Sequence, residues 1–589
     1  MIDMVPPGLI LIVGALIVPL LRGRVKSGFM LLLPVLAFVV LLRMPAGEYW
    51  RVGFLGYDLI LGRVDRLSMV FGYIFTIISF IGILFALKVE DDLQHVFALM
   101  YAGGALGVTF AGDFFTLYIF WELLAVSSTF LILARRTRES QAAAFRYILV
   151  HVVGGLFLLA GIVIYVQERG TLEFGYIGLE GLGSWLIFLG IGLNAAIPPL
   201  HAWLQDAYPE ATVSGAVFLS AFTTKGAVYL MARTFPGTEL LIWVGALMTV
   251  IPIFYAVLEN DIRRVLAYSI ISQGGFMMTG IGIGTPLAIN GTVSHAFCSI
   301  IYTALLFMSA GSVLHMTGKI RCTDLGGLYR TMPLTALFYM VGAASISAFP
   351  LSSGFISKSM VINEAAHHQL VFPWFLLMFA SATTFLYAGL KVTIFTFFGH
   401  DSGIRAKEPP FNMLLAMGFA AVLSVFLGVY PKPLYNILPN PVDYVPYTGA
   451  HVVGQLQLLM FGALAFCLLI LSGYYPAEMR AVNLDVDWFY RKGARLFYRA
   501  MDRGLNGINN ACDELFVRGL AGRLARWSRQ PLSPVVVAYL KVFGGGRGHS
   551  EILEGEITTE KSSLTPTGVP VFLSILGLFC LYVLFIVTT

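Results

Sequence analysis

Two adjacent prolines interrupt the apolar stretch LNAAIPPLHAWLQDAYPEA, residues 193–211. Proline has no backbone amide hydrogen and its ring collides with the preceding helical turn, so we expect a helix to break at Pro198 and Pro199. At membrane depth a broken helix is tolerated only where its freed backbone groups face protein or a water-filled cavity. The stretch therefore predicts an interrupted membrane helix beside a polar interior.

A second interrupted stretch, SISAFPLSSGFISK at residues 345–358, has its helix breakers at Pro350 and Gly354. Each interrupted span is the fourth in a set of five apolar spans, at 95–234 and at 238–398. Paired broken helices in corresponding positions are typical of internally duplicated transporters, whose binding or translocation site lies at the breaks. Simple kinking by proline is the alternative, and the matched placement favours the transporter.

The composition predicts an all-α polytopic membrane protein. Of the 589 residues, 58% are hydrophobic and 12% are charged, and the mean hydropathy is +0.80. Apolar runs long enough to cross a bilayer as helices recur along the chain. We expect about sixteen spans, at 7–22, 28–43, 66–87, 95–111, 113–133, 143–166, 184–207, 212–234, 238–258, 264–284, 290–314, 332–366, 372–398, 411–430, 453–473 and 568–588. The first run lacks a basic start and a small-residue cleavage site, so we interpret it as a retained helix rather than a signal peptide.

The loops between the predicted spans differ in their content of Lys and Arg. One set of alternate loops contains RGRVK, RRTRES, DIRR, KIRCTDLGGLYR and GIRAKE, and it holds most of the basic loop residues. Cytoplasmic loops of membrane proteins carry such an excess. We therefore expect a multi-pass protein of the cell inner membrane. These loops and the basic segment after residue 474 would face the cytoplasm, and both termini would lie on the other side.

Ionisable side chains occur inside the predicted spans. Glu122 lies in LYIFWELLAVSSTFLIL, residues 117–133, an apolar run without a basic residue. We single out four more, Lys225, His295, Lys358 and Lys391. A charge at bilayer depth costs from ~2.5 to more than ~10 kcal/mol. Taken singly, a lysine near a helix end can reach the interface and a histidine is more often an ordinary core residue. Together these residues predict a relay that translocates protons.

No other chemistry competes with ion transport in this sequence. A buried Glu and Lys favour each other's charged forms, so a change in their separation can move a proton. Neither a catalytic nucleophile nor a phosphate-binding loop nor a metal-ligand cluster is recognisable. The five cysteines are scattered without a CxxC pair, which gives no indication of an iron–sulfur or zinc site. We expect no catalytic residue, no cofactor, no metal and no nucleic-acid partner.

Several motifs resemble those of the proton-translocating antiporter family. They are FWELLAVSS, IPPLHAWLQDAYPEATVSGAVFLSAFTTKGAVYLMAR, ENDIRRVLAYSIISQGGFMM, TALLFMSAGSV, DLGGLYRTMP and PLSSGFISK. The family contains the A and D subunits of Mrp-type cation/proton antiporters and the antiporter-like subunits of complex I and energy-converting hydrogenases. The resemblance implies a core of two inverted five-helix repeats. It also implies other membrane subunits as partners, with lipids, protons and, as a candidate, sodium ions.

The resemblance assigns roles to individual residues. The positions that match the family's ionisable residues are Glu122, Lys225, His295 and Lys358. The positions that depart from the family are Asn194 and Thr303, where lysines are usual, and Gly155, where some complex I relatives have an aspartate. The first departure removes the usual partner of Glu122, and the second removes the usual central relay residue.

Two explanations of these departures stay open. Lys225 could replace the missing partner of Glu122, and His295 with ordered water could replace the central lysine, so that transport is retained. Alternatively, the subunit has lost full transport and serves as a structural or coupling member of its complex. The cost of burying Glu122 and Lys225 favours retained transport. A third class is a subunit that supplies proton flow to an inorganic-carbon uptake complex. In a translocating enzyme the chain would form the membrane arm and not the catalyst.

The sequence divides into six segments. They are N-terminal helices at 1–94, a first repeat at 95–236, a second repeat at 237–400, further core helices at 401–475, an amphipathic lateral segment with its linker at 476–565 and a final helix at 566–589. The lateral segment mixes basic, aromatic and apolar residues at helical spacing, which is typical of a helix on a membrane surface. Its stretch NLDVDWFYRKGAR, residues 483–495, is similar to the tails of some D-type Mrp subunits. The family resemblance implies contact with neighbouring subunits, and binding to anionic lipid is the alternative.

Overall fold

A computed structural model describes residues 5–54, 56–473 and 485–529, together with the isolated residues Ala538, Val542 and Leu578. The structure is 78% helical. It divides into two compact units, Met1–Asp487 and Trp488–Thr589. The predicted final span at 568–588 and most of the linker before it lie outside the described residues.

The first unit begins with helices and a strand pair. Their bounds are α1 (Pro7–Ile17), α2 (Gly23–Arg43), β1 (Gly47–Phe54), β2 (Tyr57–Val64) and α3 (Arg66–Ala86). The strands are antiparallel, with Gly47 opposite Val64, and the glycine before β2, Gly56, has a φ of +83°. The expectation of an all-α chain is wrong here. Aromatic and β-branched residues between α2 and α3 favour a short strand pair over a helix or loop.

A set of five spans follows, of which the fourth and fifth are divided. The helices are α4 (Asp92–Phe110), α5 (Phe114–Leu133), α6 (Arg138–Arg169), α7 (Gly181–Asn194), α8 (Ala202–Ala207), α9 (Val213–Ala221) and α10 (Thr223–Thr234). The interruption between α7 and α8 contains Pro198 and Pro199. Phe222 separates α9 from α10.

A second set repeats this order. It contains α11 (Glu239–Leu258), α12 (Ile262–Ile283), α13 (Pro286–Thr317), α14 (Pro333–Ile346), α15 (Ser353–His367) and α16 (Val371–Thr384). The interruption between α14 and α15 contains Pro350, whereas Gly354 lies in the first turn of α15. After α16 the chain continues in π-helical turns at Phe385–Lys391 and Ile394–Phe398.

The two interruptions share their backbone conformation. In each, an alanine has a positive φ, 60° at Ala196 and 55° at Ala348. The next amide then donates to the carbonyl five residues earlier, from Ile197 at 3.0 Å and from Phe349 at 2.9 Å. Positive φ is unfavourable for alanine, so the same unusual geometry at both sites reflects a common construction.

The second helix of each set also begins in the same way. Asp113 caps α5 and forms an isolated antiparallel bridge with Glu173, in the chain that follows α6. Asp261 caps α12 and forms such a bridge with Arg321, in the chain that follows α13. In both sets, therefore, the start of the second helix is tied to the segment after the third helix.

Three helices complete the described part of the first unit. They are α17 (Phe411–Val429), α18 (Lys432–Ile437) and α19 (Gly449–Leu471). Asn412 fastens the start of α17 to the end of α3, since its side-chain amide donates to the carbonyls of Leu84 and Phe85 at 3.1 and 3.0 Å.

The number of continuous apolar helices is lower than expected from the sequence. Eleven helices among the described residues are long and apolar enough to cross a membrane. The predicted spans at 184–207 and 332–366 each fall into two pieces, neither of which is long enough alone. The first helix is short, and α12 is rich in small and polar residues such as Gly, Ser and Thr. The multi-pass character is nevertheless clear.

The described part of the second unit is an amphipathic helix. It runs through α20 (Asp487–Cys512), a π-helical segment at Asp513–Ala521 and α21 (Gly522–Arg529). Apolar side chains recur every four residues at Phe497, Met501 and Leu505, and arginines recur on the opposite face at Arg495, Arg499 and Arg503. This separation of faces fits the pattern expected for residues 476–565, most of which lie outside the described range.

Candidate functional site

The most deeply buried helices of the first unit carry two of the ionisable residues. The most apolar 18 residues of the segment α9–α10 are all buried, and 94% of the corresponding window of α13 is buried. Lys225 lies on α10 and His295 on α13. Gly291 allows α15 to approach α13, because an added Cβ would lie 2.9 Å from the side chains of Met360 and Val361.

Glu122 lies in the middle of α5, half-buried and against α6. The hydroxyl of Tyr118, one helical turn earlier, is within hydrogen-bonding reach of its carboxylate. A Cβ built on Gly155 of α6 would be 2.1 Å from Glu122 Oε1. The glycine therefore provides the space that the carboxylate occupies, and an aspartate at this position would collide with it.

Asn194 is the last residue of α7, immediately before the first interruption, and it is buried. Neither the nitrogen nor the oxygen of its side-chain amide has a hydrogen-bond partner in the described part of the chain. Buried polar groups of this kind are normally satisfied by ordered water. Asn194, which stands where the family usually has a lysine, is therefore still polar, and its side-chain amide has unsatisfied hydrogen-bonding groups.

Lys225 lies in the first turn of α10 and is 2% exposed. Its ammonium donates to the carbonyl of Ser220 at 3.0 Å. The described residues include no ion pair between Lys225 and Glu122. A Cβ added to the adjacent Gly226 would meet no heavy atom within 4 Å, so the packing next to this lysine is open.

His295 is fully buried in α13 and contacts the second broken helix. Its Nδ1 lies 3.0 Å from the hydroxyl of Ser357 on α15, and its Nε2 has no hydrogen-bond partner among the described residues. Lys225 and Lys358 both lie close enough to exert a Coulombic interaction on the ring. The hydrogen-bond contact with Ser357 places His295 beside the residue that precedes Lys358.

Lys358 lies in α15, just after the second interruption, and is 1% exposed. Its Nζ donates at 2.6 Å to the carbonyl of Ile346, the last residue of α14. The same ammonium is 4.9 Å from the ring centre of Phe276, a favourable cation–π distance. The lysine is therefore held at the carbonyl end of the first half of the broken helix, where the helix dipole favours a cation.

Thr303 lies on α13 eight residues after His295. It is buried, and its hydroxyl has no hydrogen-bond partner in the described residues. Next to it, the Tyr302 hydroxyl donates to Gln273 Oε1 at 3.3 Å, while the Gln273 amide nitrogen stays unpaired. Thus the second position that departs from the family also retains an unsatisfied polar atom.

Lys391 has a different environment from the other lysines. It is fully buried and ends a π-helical segment. Its Nζ donates to the carbonyl of Val257 at 2.8 Å and to that of Glu259 at 2.5 Å, at the carboxyl end of α11. A cation is favourable at a helix C-terminus, so this contact helps to compensate the burial of its charge. Buried hydroxyls without a partner follow the helices of the second set, at Ser347, Ser381, Tyr387, Thr393 and Thr396.

A group of buried hydroxyls near Lys225 was not singled out from the sequence. We call it the hydroxyl cluster, and it consists of Tyr101, Ser128, Tyr147, Tyr208 and Thr223. Tyr101 pairs with Thr223 at 2.5 Å, and Tyr147 pairs with Ser128 at 2.9 Å. The Tyr208 hydroxyl lies within reach of Tyr101 and Thr223 but has no aligned hydrogen bond. Hydroxyl residues are common in membrane helices, and no sequence signal marks these five.

His151 is a further ionisable residue that the sequence analysis missed. It lies in an apolar run of α6 and is buried. Its ring stacks on Tyr147 with centroids 3.9 Å apart and meets Trp203 edge-on at 4.6 Å. The criterion that selected His295, an ionisable side chain inside an apolar span, applies equally to His151.

Asp485 is also absent from the sequence-derived set. It comes from the segment after α19, and its side chain is only 2% exposed. It accepts hydrogen bonds from Gln205 at 2.6 Å and from Tyr268 at 3.0 Å. The His201 Nε2 lies 3.5 Å from Asp485 Oδ1, which is an ion-pair distance without hydrogen-bond alignment. Only folding brings these distant residues together, so sequence spacing could not reveal the cluster.

The described residues contain no group of three or more His, Cys, Asp or Glu side chains that could hold a metal ion. Several of the buried ionisable residues lie among polar atoms that have no hydrogen-bond partner in the described ranges. Such an arrangement suits protons, which need only single donor and acceptor atoms and water.

Comparison with known protein families agrees with this geometry. Residues 111–386 match the family model described as NADH:quinone oxidoreductase/Mrp antiporter, transmembrane. The matched part, slightly less than half of the chain, therefore resembles this antiporter family. The matched range includes both interruptions and the residues from Glu122 to Lys358, which confirms the resemblance seen in the sequence.

Among curated proteins, this chain is similar to two large antiporter subunits. One is the A/B-type subunit of a probable K⁺/H⁺ antiporter of Rhizobium meliloti, 30% identical over 400 residues, which are 63% of this chain and 40% of the relative. The other is the A-type subunit of the Na⁺/H⁺ antiporter of Alkalihalophilus pseudofirmus, 29% identical over 504 residues, which are 76% and 62% of the two chains. The chain thus spans 40% and 62% of the length of these relatives.

Solved structures share the fold. A chain of the archaeal membrane-bound sulfane sulfur reductase aligns with a TM-score of 0.66 and 26% identity, over 77% of this chain and 98% of that chain. A chain of the Mrp complex of Dietzia sp. aligns with a TM-score of 0.63 and 20% identity, over 79% and 95%. A chain of respiratory complex I from Thermus thermophilus aligns with a TM-score of 0.63 and 24% identity, over 74% of this chain and 100% of that chain.

Proposed function

We propose that the chain is the antiporter-like membrane subunit of a multi-subunit complex and that it translocates protons. The relay would consist of Glu122, Lys225, His295, Lys358 and Lys391. The observation that carries the proposal is the position of His295, fully buried and within Coulombic range of both Lys225 and Lys358. Three basic groups buried together are costly if all are charged. If the three groups together hold fewer than three protons, the free-energy cost of burying positive charge is lower.

This arrangement favours stepwise proton transfer. Positive charges on Lys225, His295 and Lys358 repel one another, so the arrival of a proton at one site favours its departure from the next. Within the described ranges, no direct hydrogen bond connects the three sites. The unpaired buried atoms of Asn194, Thr303 and their neighbours supply polar positions at which water can bridge the gaps.

The departures from the family are compatible with retained transport. Both Asn194 and Thr303 keep polar atoms in the interior, as a water-filled path requires. Lys225 donates to a backbone carbonyl and forms no ion pair with Glu122. A water-mediated connection therefore replaces the missing partner of Glu122, in preference to a direct Glu–Lys contact.

The proposal includes the surroundings of the chain. The relatives are named as subunits of K⁺/H⁺ and Na⁺/H⁺ antiporters, and the structural neighbours belong to multi-subunit membrane complexes. We therefore propose membrane subunits and lipids as partners, and sodium as the first candidate for a coupled cation. The distribution of basic loops supports an inner-membrane location with the basic loops in the cytoplasm.

The relay would lie within two inverted five-span repeats. The first would comprise α4 to α10, and the second α11 to α16 with the turns that follow. The shared backbone geometry at Ala196 and Ala348 supports a duplication. In the orientation set by the basic loops, the matched caps at Asp113 and Asp261 belong to opposite sides of the membrane, which supports an inverted relation between the sets.

Neutralising the relay tests the proposal. In vesicles that contain the assembled complex, Glu122→Gln or Lys225→Ala should lower the initial rate of proton flux by about tenfold or more, because each removes a protonatable group. The matched control is Glu239→Gln, which removes an exposed carboxylate at the start of α11 and should leave the rate unchanged.

A structural role is the second candidate, favoured by the loss of lysine at Asn194 and Thr303. It predicts undiminished flux in Glu122→Gln and Lys225→Ala complexes whose assembly is normal by gel filtration. That result would overturn the site assignment and leave the chain in a coupling or scaffolding role.

A further inference from the structure

The buried cluster around Asp485 lies outside the relay described above. Its carboxylate is inserted between α8, which begins after His201 and carries Gln205, and α12, which carries Tyr268. Burial of a carboxylate without compensating partners is costly. Three hydrogen bonds, from Gln205, Tyr268 and the Val486 amide, and a nearby imidazole at 3.5 Å form the compensation. The segment that carries Asp485 is therefore fastened to the first broken helix.

The chemical environment keeps this carboxyl group ionised. Burial raises the pKa of Asp485, but the nearby His201 imidazole, the amide of Val486 and the hydroxyl of Tyr268 outweigh burial and hold the pKa below its usual value. On α8 the next acidic residue, Asp206, is engaged by Arg146 through two hydrogen bonds at 2.6 and 2.9 Å.

Among the other groups near this cluster, α12 contributes Arg264, which lies 3.9 Å from Glu210. In the described part of the chain, His201 and the Tyr268 hydroxyl are the ionisable groups shown to face the Asp485 carboxylate. An ionised aspartate at this distance stabilises a protonated imidazole. Because the His201 Nδ1 has no hydrogen-bond partner in the described part of the chain, that nitrogen can exchange a proton while Nε2 faces Asp485.

The position of His201 connects it to Lys225. His201, Gln205 and Tyr208 follow one another at helical spacing along α8 and its flanking residues, so they share one face. The Tyr208 hydroxyl adjoins Tyr101 and Thr223 of the hydroxyl cluster, and Thr223 is two residues before Lys225. Buried polar groups thus extend from the Asp485 cluster to the hydroxyl cluster, whose Thr223 lies at the start of α10, the helix that also carries Lys225.

We propose that His201 takes up protons for the relay from the side of the basic loops, and that Asp485 is a positioning residue that orients its ring and stabilises its protonated form. This inference rests on the proposed function. In the uptake step a proton passes from water to His201 Nδ1, and it leaves through water and the hydroxyl cluster towards Lys225, with no other bond changed. Asp485 lies after α19 and outside both sets of spans. Through His201 it would thereby affect proton entry into the first set.

The test uses the full chain in its assembled complex in membrane vesicles. Asp485→Asn keeps an oxygen that can accept from Gln205 and Tyr268 but removes the charge. We expect the pH at which the rate of proton uptake falls to half of its maximum to shift down by about one pH unit, as expected when an opposite charge is removed from within about 4 Å. Asp485→Glu should restore most of the wild-type pH profile.

Two further variants complete the design. His201→Gln should lower the rate of proton uptake by about tenfold or more. It should also remove from the pH profile the fall in rate that is attributed to His201. Glu90→Gln, which removes an exposed carboxylate in another loop of the same side, should leave both rate and profile unchanged. If Asp485→Asn does not assemble, the His201→Gln profile decides the matter, since that variant retains the carboxylate.

The inference is overturned if assembled Asp485→Asn or His201→Gln complexes keep the wild-type rate and pH profile, which would leave Asp485 as a mechanical anchor. The proposed function fails in a different way, through undiminished flux in Glu122→Gln. A complex in which Glu122→Gln abolishes flux while Asp485→Asn changes nothing would contradict only the role of Asp485.

Discussion

At the scale of single residues, Glu122 and Gly155 form one unit. The carboxylate fills the space where any side chain at position 155 would have to lie, 2.1 Å from Oε1. The glycine therefore matters for the position of the carboxylate rather than for backbone freedom. A neighbouring glycine, Gly154, faces Leu193 of α7 instead, with 3.2 Å between an added Cβ and the leucine side chain.

Gly155→Ala should displace the Glu122 side chain and lower proton flux by about tenfold, while the complex still assembles. The clash is with the far end of a flexible side chain, and alanine is favoured over glycine in a helix by about 1 kcal/mol. Flux in vesicles and yield of assembled complex are the measurements. Gly154→Ala is the matched control, and equal flux in the two variants would contradict the assignment of Glu122.

The sequence was informative for some residues and silent for others. Glu122, Lys225, His295 and Lys358 stand out because a charge in an apolar run is visible without a structure. Asp485 does not, because its partners are more than two hundred residues away along the chain and only folding makes it a buried group.

At the scale of elements, the prolines predict where the two helices are interrupted, but they do not predict the backbone conformation at the interruptions. The location of Pro198, Pro199 and Pro350 in broken helices follows from the missing amide hydrogen. The matched positive φ values at Ala196 and Ala348 depend on tertiary packing that overrides local preference. The hairpin of β1 and β2 was missed since strand preference depends strongly on context.

Gly354 has a packing role in the first turn of α15. An added Cβ would lie 1.8 Å from the carbonyl oxygen of Ser345, so the backbone would have to move. Gly354→Ala should destabilise the second broken helix by roughly 1–3 kcal/mol and lower the thermal unfolding temperature of the detergent-solubilised complex. Gly454→Ala in α19, where an added Cβ meets nothing within 4 Å, should not lower it. Equal unfolding temperatures would show that the interruption adapts freely.

At the scale of the whole molecule, the distribution of basic loops assigns a side to every connection. The connection between α3 and α4 contains Lys88, and the connection between α18 and α19 contains Asp443. The intervening membrane crossings place these residues on opposite sides. Because the excess of Lys and Arg lies with Lys88, that side is expected in the cytoplasm.

Labelling of single cysteines with a membrane-impermeant maleimide tests this orientation. In a chain with Cys467, Cys512 and Cys580 replaced by serine, Lys88→Cys should react only in inside-out vesicles, and Asp443→Cys only in right-side-out vesicles. Cys298 and Cys322 are buried and should not react in either. The reverse pattern would invert the assigned topology and would place the Asp485 cluster on the outer face.

The length of α13 has a mechanical consequence. Its 32 residues at 1.5 Å each span about 48 Å, whereas the hydrocarbon core of a bilayer is about 30 Å thick. Helix α13 must therefore tilt relative to the membrane normal or extend into the headgroup layer at one end. His295 lies nine residues from the start of α13. A change in bilayer thickness that alters the tilt of α13 would therefore change the depth of the His295 imidazole relative to the bilayer midplane. Transport by the complex should accordingly depend on acyl-chain length.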